Sequence, residues 1–136
     1  MKFTKMHGTG NDYLYIDARY QDADWPALSR SMSDRHFGVG ADGIILIQSS
    51  QIAHLKMRMF NADGSEGEMC GNGIRCFAKY AIERNIAQPD EVGLQVETLG
   101  GVRMIEPRME GSKVVRARVA MGLPHLKPEQ VPVILN

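Results

Sequence analysis

Polar and apolar residues alternate in two stretches of this chain, and a period of two predicts strands. In DYLYID (12–17), Tyr13 and Tyr15 take one face and Leu14 and Ile16 the other. In HLKMRMF (54–60), Leu55, Met57 and Met59 oppose Lys56 and Arg58. KFTKM gives a shorter opening strand that runs into a Gly-rich turn from His7 to Asp12. IILIQ (44–48) does not alternate, and a short continuous apolar run reads as a strand buried on both faces.

A period near four appears twice. Asp24 stands as the N-cap of a short helix that has Pro26 in its first turn and Leu28 and Met32 four apart. The clearest helix covers Asn72 to Arg84, where Ile74, Phe77, Ala78, Ala81 and Ile82 share a stripe and Arg75, Lys79, Glu83 and Arg84 take the outer faces. Asn85 is its stop, and Pro89 follows. NADGSEGE (61–68) is a loop with Asp-Gly turn chemistry. Three strands close the pattern. GLQVET aligns Leu94, Val96 and Thr98, a Gly100-Gly101 turn leads to VRMIE, and KVVRARV aligns Val115, Ala117 and Val119. The tail from Met121 carries Pro124, Pro128 and Pro132 without a period and reads as a linker, residues 121–136, following a domain of residues 1–120. The fold class is α+β: a mostly antiparallel curved sheet, a partial barrel, wrapped around one central helix.

Composition narrows the function classes. At 136 residues the chain has a common single-domain size. Sixteen basic residues balance sixteen acidic ones, which gives no electrostatic footprint for nucleic acid or an anionic membrane. No apolar run approaches the roughly 18 residues of a membrane helix, and MKFTKM lacks the apolar core of a signal peptide. Two cysteines do not make a disulfide scaffold, so a reducing, cytoplasmic location is expected.

GVGADG (38–43) matches G-x-G-x-x-G, but a dinucleotide fingerprint follows a strand and opens a helix. Here helix precedes and strand follows, so the segment reads as a tight turn. His7, His36, His54 and His125 are scattered without ligand spacing and read as structural hydrogen bonders. His36, inside the dense Asp-Arg-His-Phe-Gly run, is a candidate for orienting a site loop.

EMCGNGIRC (68–76) carries the chemistry. Cys70 and Cys76 are separated by about 9 Å of helical rise, beyond the roughly 7 Å that a disulfide tolerates, so Cys76 reads as a small core residue. Cys70 sits just before the first helical turn, among unsatisfied N–H groups at the positive end of the dipole. Such a position lowers thiols from about 8.5 into roughly 3.5–7.5. Gly71 and Gly73 permit close approach, and the N–H groups of Gly71, Asn72 and Gly73 form a cradle for a carboxylate or phosphate. A buried, inert cysteine at a helix start is the plain alternative. The residues alone leave nucleophilic attack and proton transfer both open, and Asn11 and Asn61 lie in loops where they can supply neutral polar contacts or simply form turns.

KMHGTGNDYLYID, DRHFGVGADGIIL, FNADGSEGEMCGNGIRCFAKY and VAMGLPH together resemble the N-terminal half of the diaminopimelate epimerases, in the same order and over essentially the whole chain. The resemblance implies an amino-acid epimerase with no cofactor and no metal, interconverting LL- and meso-diaminopimelate in lysine and peptidoglycan biosynthesis. It implies two similar halves with the substrate between them, and one cysteine from each half facing the α-carbon, one removing a proton and the other returning it. Cys70 matches the catalytic cysteine of the first half, Gly71 and Asn72 the backbone donors to the α-carboxylate, Asn11 and Asn61 the substrate-contacting asparagines, and Cys76 a cysteine without a chemical role.

Two departures accompany the resemblance. Many family members carry glutamine where this chain has Gly43, although Ala-Asp-Gly variants occur. The second half, with its own cysteine, is absent from the sequence, so the chain is read as a half expected to be inactive alone, with the C-terminal half as its partner and a homo-oligomer expected. The family's final strands return to complete the first domain, which predicts an unpaired sheet edge here. A proline or hydroxyproline racemase is the neighbouring enzyme reading, against which the asparagines and the Asn-Ala-Asp-Gly-Ser-Glu loop argue. A half-domain serving only binding or assembly is the reading outside catalysis.

Overall fold

A computed structural model describes residues 1–124, 126, 127 and 131. Of the features read in the tail, His125, Pro128 and Pro132 lie outside the described residues. Eight strands and two helices follow in the order β1 (Thr4–Gly8), β2 (Asn11–Asp17), α1 (Trp25–Ser33), β3 (Gly43–Gln48), β4 (Leu55–Asn61), β5 (Glu66–Gly67), α2 (Gly71–Glu83), β6 (Leu94–Thr98), β7 (Gly101–Glu110) and β8 (Lys113–Val119).

The strands form one sheet in the order β1-β2-β3-β4-β6-β7-β8, with β5 added to β4. Pairing is antiparallel except between β2 and β3 and between β4 and β6, each parallel pair being bridged by one helix. The sheet curls around α2, so that both β1 and β8 lie against that helix. Among the described residues β1 and β8 each have a strand neighbour on one side only, as the expected open edge requires.

Two apolar cores sit on the two faces of the sheet. On the concave face Tyr13, Tyr15, Ile45, Ile47 and Met57 pack against Ile74, Phe77 and Ala81 of α2. On the convex face Leu14, Ile16, Ile44, Leu46 and Phe60 pack beneath α1 through Trp25. This is why β3 is apolar on both faces while β4 alternates. Burying a residue such as Ile45 or Phe77 contributes about 1.5–3 kcal/mol, so α2 is held mainly by this packing.

Both helices end as their sequences dictate. Asp24 caps α1, its carboxylate accepting from Ala27 N–H at 3.0 Å. At the end of α2, Asn85 takes φ +54°, Ile86 N–H reaches the Ala81 carbonyl at 2.9 Å and Asn85 N–H the Ile82 carbonyl at 3.0 Å. That pair of bonds is a Schellman motif with asparagine in the left-handed position.

Two strand readings need correction. Thr98 pairs with Gly101, so the hairpin turns at Leu99-Gly100, one residue earlier than the glycine pair suggests, and Gly101 opens β7 at φ +101°. On β8 it is Val114 that is buried, while Val115 is exposed. The register slips between Arg108 and Met109, so Arg108 pairs with Arg116 and Met109 with Val114. This bulge absorbs Val115, and Ala117 and Val119 then return to the core side as expected. No helix among the described residues is long and apolar enough to cross a membrane.

Candidate active site

The start of α2 is built around a sulfur. Cys70 is the N-cap, with an extended backbone (φ −125°, ψ 119°), and its carbonyl accepts Ile74 N–H at 2.8 Å. Its Sγ accepts Gly73 N–H at 3.3 Å, which is the role a serine oxygen has in an ordinary cap. Gly73 makes this approach possible: a Cβ there would lie 2.7 Å from Ile45 Cδ1 and 3.3 Å from Cys70 Cβ. Among the described residues no protein acceptor takes the N–H of Gly71 or Asn72. The space above Gly71 meets only the Met121 side chain, at 3.5 Å. Two donors at the positive end of a 13-residue helix thus lie beside a half-buried thiol.

The sulfur has a second partner. Cys70 Sγ–H donates to Asn11 Oδ1 at 3.1 Å, and Asn11 Nδ2 donates to Asp42 Oδ2 at 2.6 Å. The same Asp42 oxygen accepts Asp12 N–H at 3.1 Å. Arg35 bridges the two carboxylates, 2.7 Å from Asp12 and 3.0 Å from Asp42, and Lys5 lies 3.1 Å from Asp12. The Arg35 guanidinium, with Lys5 adding to it against a burial penalty, holds the Asp12 carboxyl well below the usual carboxylate range. Burial, with the neighbouring Cys70 adding to it, pushes the Tyr13 phenol up to about 12. Burial likewise raises the Cys76 thiol. Both groups therefore stay neutral near pH 7.

The sequence-derived candidates fall at one end of the sheet. Asn11 opens β2 and touches the sulfur. Asn61 closes β4 in the row Tyr13–Gly43–Asn61, two strands from Asn11, with Nδ2 donating to Ser65 Oγ at 3.0 Å. Asn72 acts here through its backbone, because its side-chain oxygen already accepts from Arg75 at 2.7 Å and Thr9 at 3.1 Å. Cys76 is buried in the concave core and both cysteines are free. The 34–40 loop is turned by Asp34, whose carboxylate accepts His36 and Phe37 N–H, each at 2.7 Å. No hydrogen bond from the His36 ring shapes it among the described residues. His7 and His54 are structural, accepting Gly10 N–H at 3.3 Å and Gln95 N–H at 3.1 Å.

Arg35, Asp42, Asp12 and Tyr13 were not named as site residues from the sequence. The available signal was the presence of charged residues, Arg35 and Asp42, on both sides of a glycine turn that packs against a strand start. Gly43 leaves no room for a side chain. A Cβ there would approach the Phe60 carbonyl oxygen to 2.1 Å.

The chain resembles known proteins in sequence and in fold. The family pattern described as diaminopimelate epimerase matches residues 3–127. A diaminopimelate epimerase from Methanococcus maripaludis is 51% identical over 98% of this chain and 48% of its own length. One from Moorella thermoacetica is 53% identical over 98% of this chain, again covering 48% of the relative. The chain therefore spans about half the length of these relatives. Among solved structures, a hydroxyproline epimerase from Agrobacterium vitis shares the fold, with TM-score 0.64 at 12% identity over 88% of this chain and 40% of that one. By sequence, the chain belongs to the diaminopimelate epimerase family.

Proposed function

We propose that this chain supplies one half of an epimerase that interconverts LL- and meso-diaminopimelate, with Cys70 as one of its two proton-transfer groups. The observation that carries this reading is the helix start. A sulfur with a bound N–H lies beside two backbone donors that have no protein acceptor among the described residues.

The chemistry follows from that placement. The α-carboxylate of the substrate accepts from Gly71 and Asn72 N–H, which sets the α-carbon in front of Cys70 Sγ. Removing the α-proton spreads negative charge onto the carboxylate, where fixed N–H groups and the helix dipole stabilise it. Asn11 and Asn61 give polar contacts around the rest of the substrate. Inversion then needs a second group on the opposite face of the same carbon. Cys76 does not serve, because it is buried in the concave core on the same helix. The second group therefore comes from outside residues 1–136, from a half like the one the longer relatives carry. Such a two-half assembly, in a reducing cytoplasm that keeps both thiols free, requires no redox step.

The test joins residues 1–136 to the C-terminal half of a full-length relative and follows both isomer conversion and α-deuterium uptake in heavy water. Conversion of diaminopimelate but not of proline is expected, with Cys70→Ala reducing it at least about 100-fold. Retained activity in Cys70→Ala ends the assignment, and turnover of proline in place of diaminopimelate moves the reading to the proline racemases.

A further inference from the structure

The contact between Cys70 and Asn11 depends on which end of the Asn11 amide faces the sulfur, and that choice is made by a residue that never touches the sulfur. An asparagine amide has one accepting end and one donating end. An ionised carboxylate only accepts. Asp42 is held in an ion pair with Arg35 at 3.0 Å and already takes Asp12 N–H at 3.1 Å. Its 2.6 Å contact with Asn11 therefore requires the Asn11 NH2 on the Asp42 side. The carbonyl is left facing Cys70 at 3.1 Å. Flipping the amide would set a carbonyl oxygen against the carboxylate and lose a charge-assisted bond.

We propose that Asp42 is a positioning residue that acts through Asn11, locking the amide carbonyl toward Cys70 so that the sulfur is held as a thiol before substrate binds. A carbonyl accepts from S–H and repels a thiolate, whereas the Gly73 N–H on the other side favours the thiolate. The two contacts oppose each other, and Asp42 sets the first. The other titratable groups around the sulfur are Tyr13 and Tyr15 of β2 and Cys76 of α2, all neutral near pH 7, with the Arg75 cation held on the Asn72 side chain. Because this inference rests on the proposed epimerase reading, its catalytic meaning is that the resting Cys70 thiol serves the direction of the interconversion in which it is the proton donor. Its S–H bond breaks, the proton forms the new α-C–H bond and the electron pair stays on sulfur, while the opposite base takes the original α-proton.

The test is the pH profile of Cys70 alkylation by iodoacetamide on the 136-residue chain. Arg75 separates Cys70 from Cys76 in a tryptic digest, so each thiol is read by itself. In Asp42→Asn the amide is free to turn its NH2 to the sulfur. The labelling midpoint is expected to fall, raising the rate at a fixed pH below it about tenfold, the factor that one pH unit gives. In Asn11→Leu, which keeps the Asp42 charge, the midpoint falls as well, and adding Asp42→Asn to it changes little. An unchanged or raised midpoint in either single variant overturns the proposal. So does an Asp42→Asn shift of equal size with and without Asn11, which would mark a through-space charge effect. If Asp42→Asn melts below the assay temperature, Asn11→Leu alone decides. Loss of turnover in Cys70→Ala is read separately on the joined enzyme, so failure of the relay and failure of the epimerase reading give different results.

Discussion

The phenol of Tyr15 donates a 2.9 Å hydrogen bond to the carbonyl of Gly73. Tyr15 is fully buried in the middle of β2, and Gly73 is the residue whose N–H meets the Cys70 sulfur. One contact therefore ties the central sheet to the first turn of α2, directly beneath the candidate site. Burial, followed by the nearby Cys76, pushes the phenol far above its usual range, so it is a donor at neutral pH. Tyr15→Phe is expected to cost about 1 kcal/mol in urea unfolding, the usual net worth of one hydrogen bond. A loss above about 3 kcal/mol would mean the hydroxyl supports more than this contact.

Gly73→Ala tests the closeness of the helix start to the sheet. The new methyl would meet Ile45 Cδ1 and Cys70 Cβ, and Ile45 is fully buried and has little room to move. Overpacking of this kind costs about 1–3 kcal/mol and displaces the sulfur from its N–H partner. Both a lower urea midpoint in the 136-residue chain and a drop in turnover of the joined enzyme are expected. Full activity at native stability would show that the glycine is dispensable.

Gly43→Gln is expected to destabilise this chain. Its Cβ would press on the Phe60 carbonyl, backbone that cannot swing aside as a side chain would. A loss of about 1–3 kcal/mol follows if β3 and β4 keep their spacing. A variant as stable as the parent would show that the two strand ends separate easily.

Acid should loosen the start of β2, which carries Asn11, and the loop that carries Asp42. The Asp12 carboxyl lies below its ordinary value near 3.8, chiefly through Arg35. A depressed folded value means that the unfolded chain takes up the proton first. The ion-pair stabilisation is thus fully present above about pH 4, and it is lost as pH falls through the lower folded value. Asp12→Asn should flatten the acid limb of a thermal-stability profile while lowering stability at pH 7. A profile with the same acid slope in both proteins would show that Asp12 does not contribute.

Much of the fold was legible because two periods leave clear marks. The alternation in β2 and β4, the unbroken run of β3 and the stripe of α2 all report local geometry against an apolar face. Val114 was not legible, because a bulge is a mismatch between two strands and leaves no mark in either one alone. The hairpin at Leu99-Gly100 was misplaced by one residue for a similar reason, since partner register decides which of two glycines turns.

The sequence by itself determined the helix that begins after Cys70, the glycines that open its first turn, and the family to which the chain belongs. Local chemistry and motif order suffice for those. Only the tertiary structure decided that Asn11, 59 residues away in the chain, meets the sulfur, and that Asp42 and Arg35 hold the amide in place. Those residues share no period and no motif with Cys70. They converge because the parallel pairing of β2 and β3 brings the starts of both strands to the end of the sheet where α2 begins.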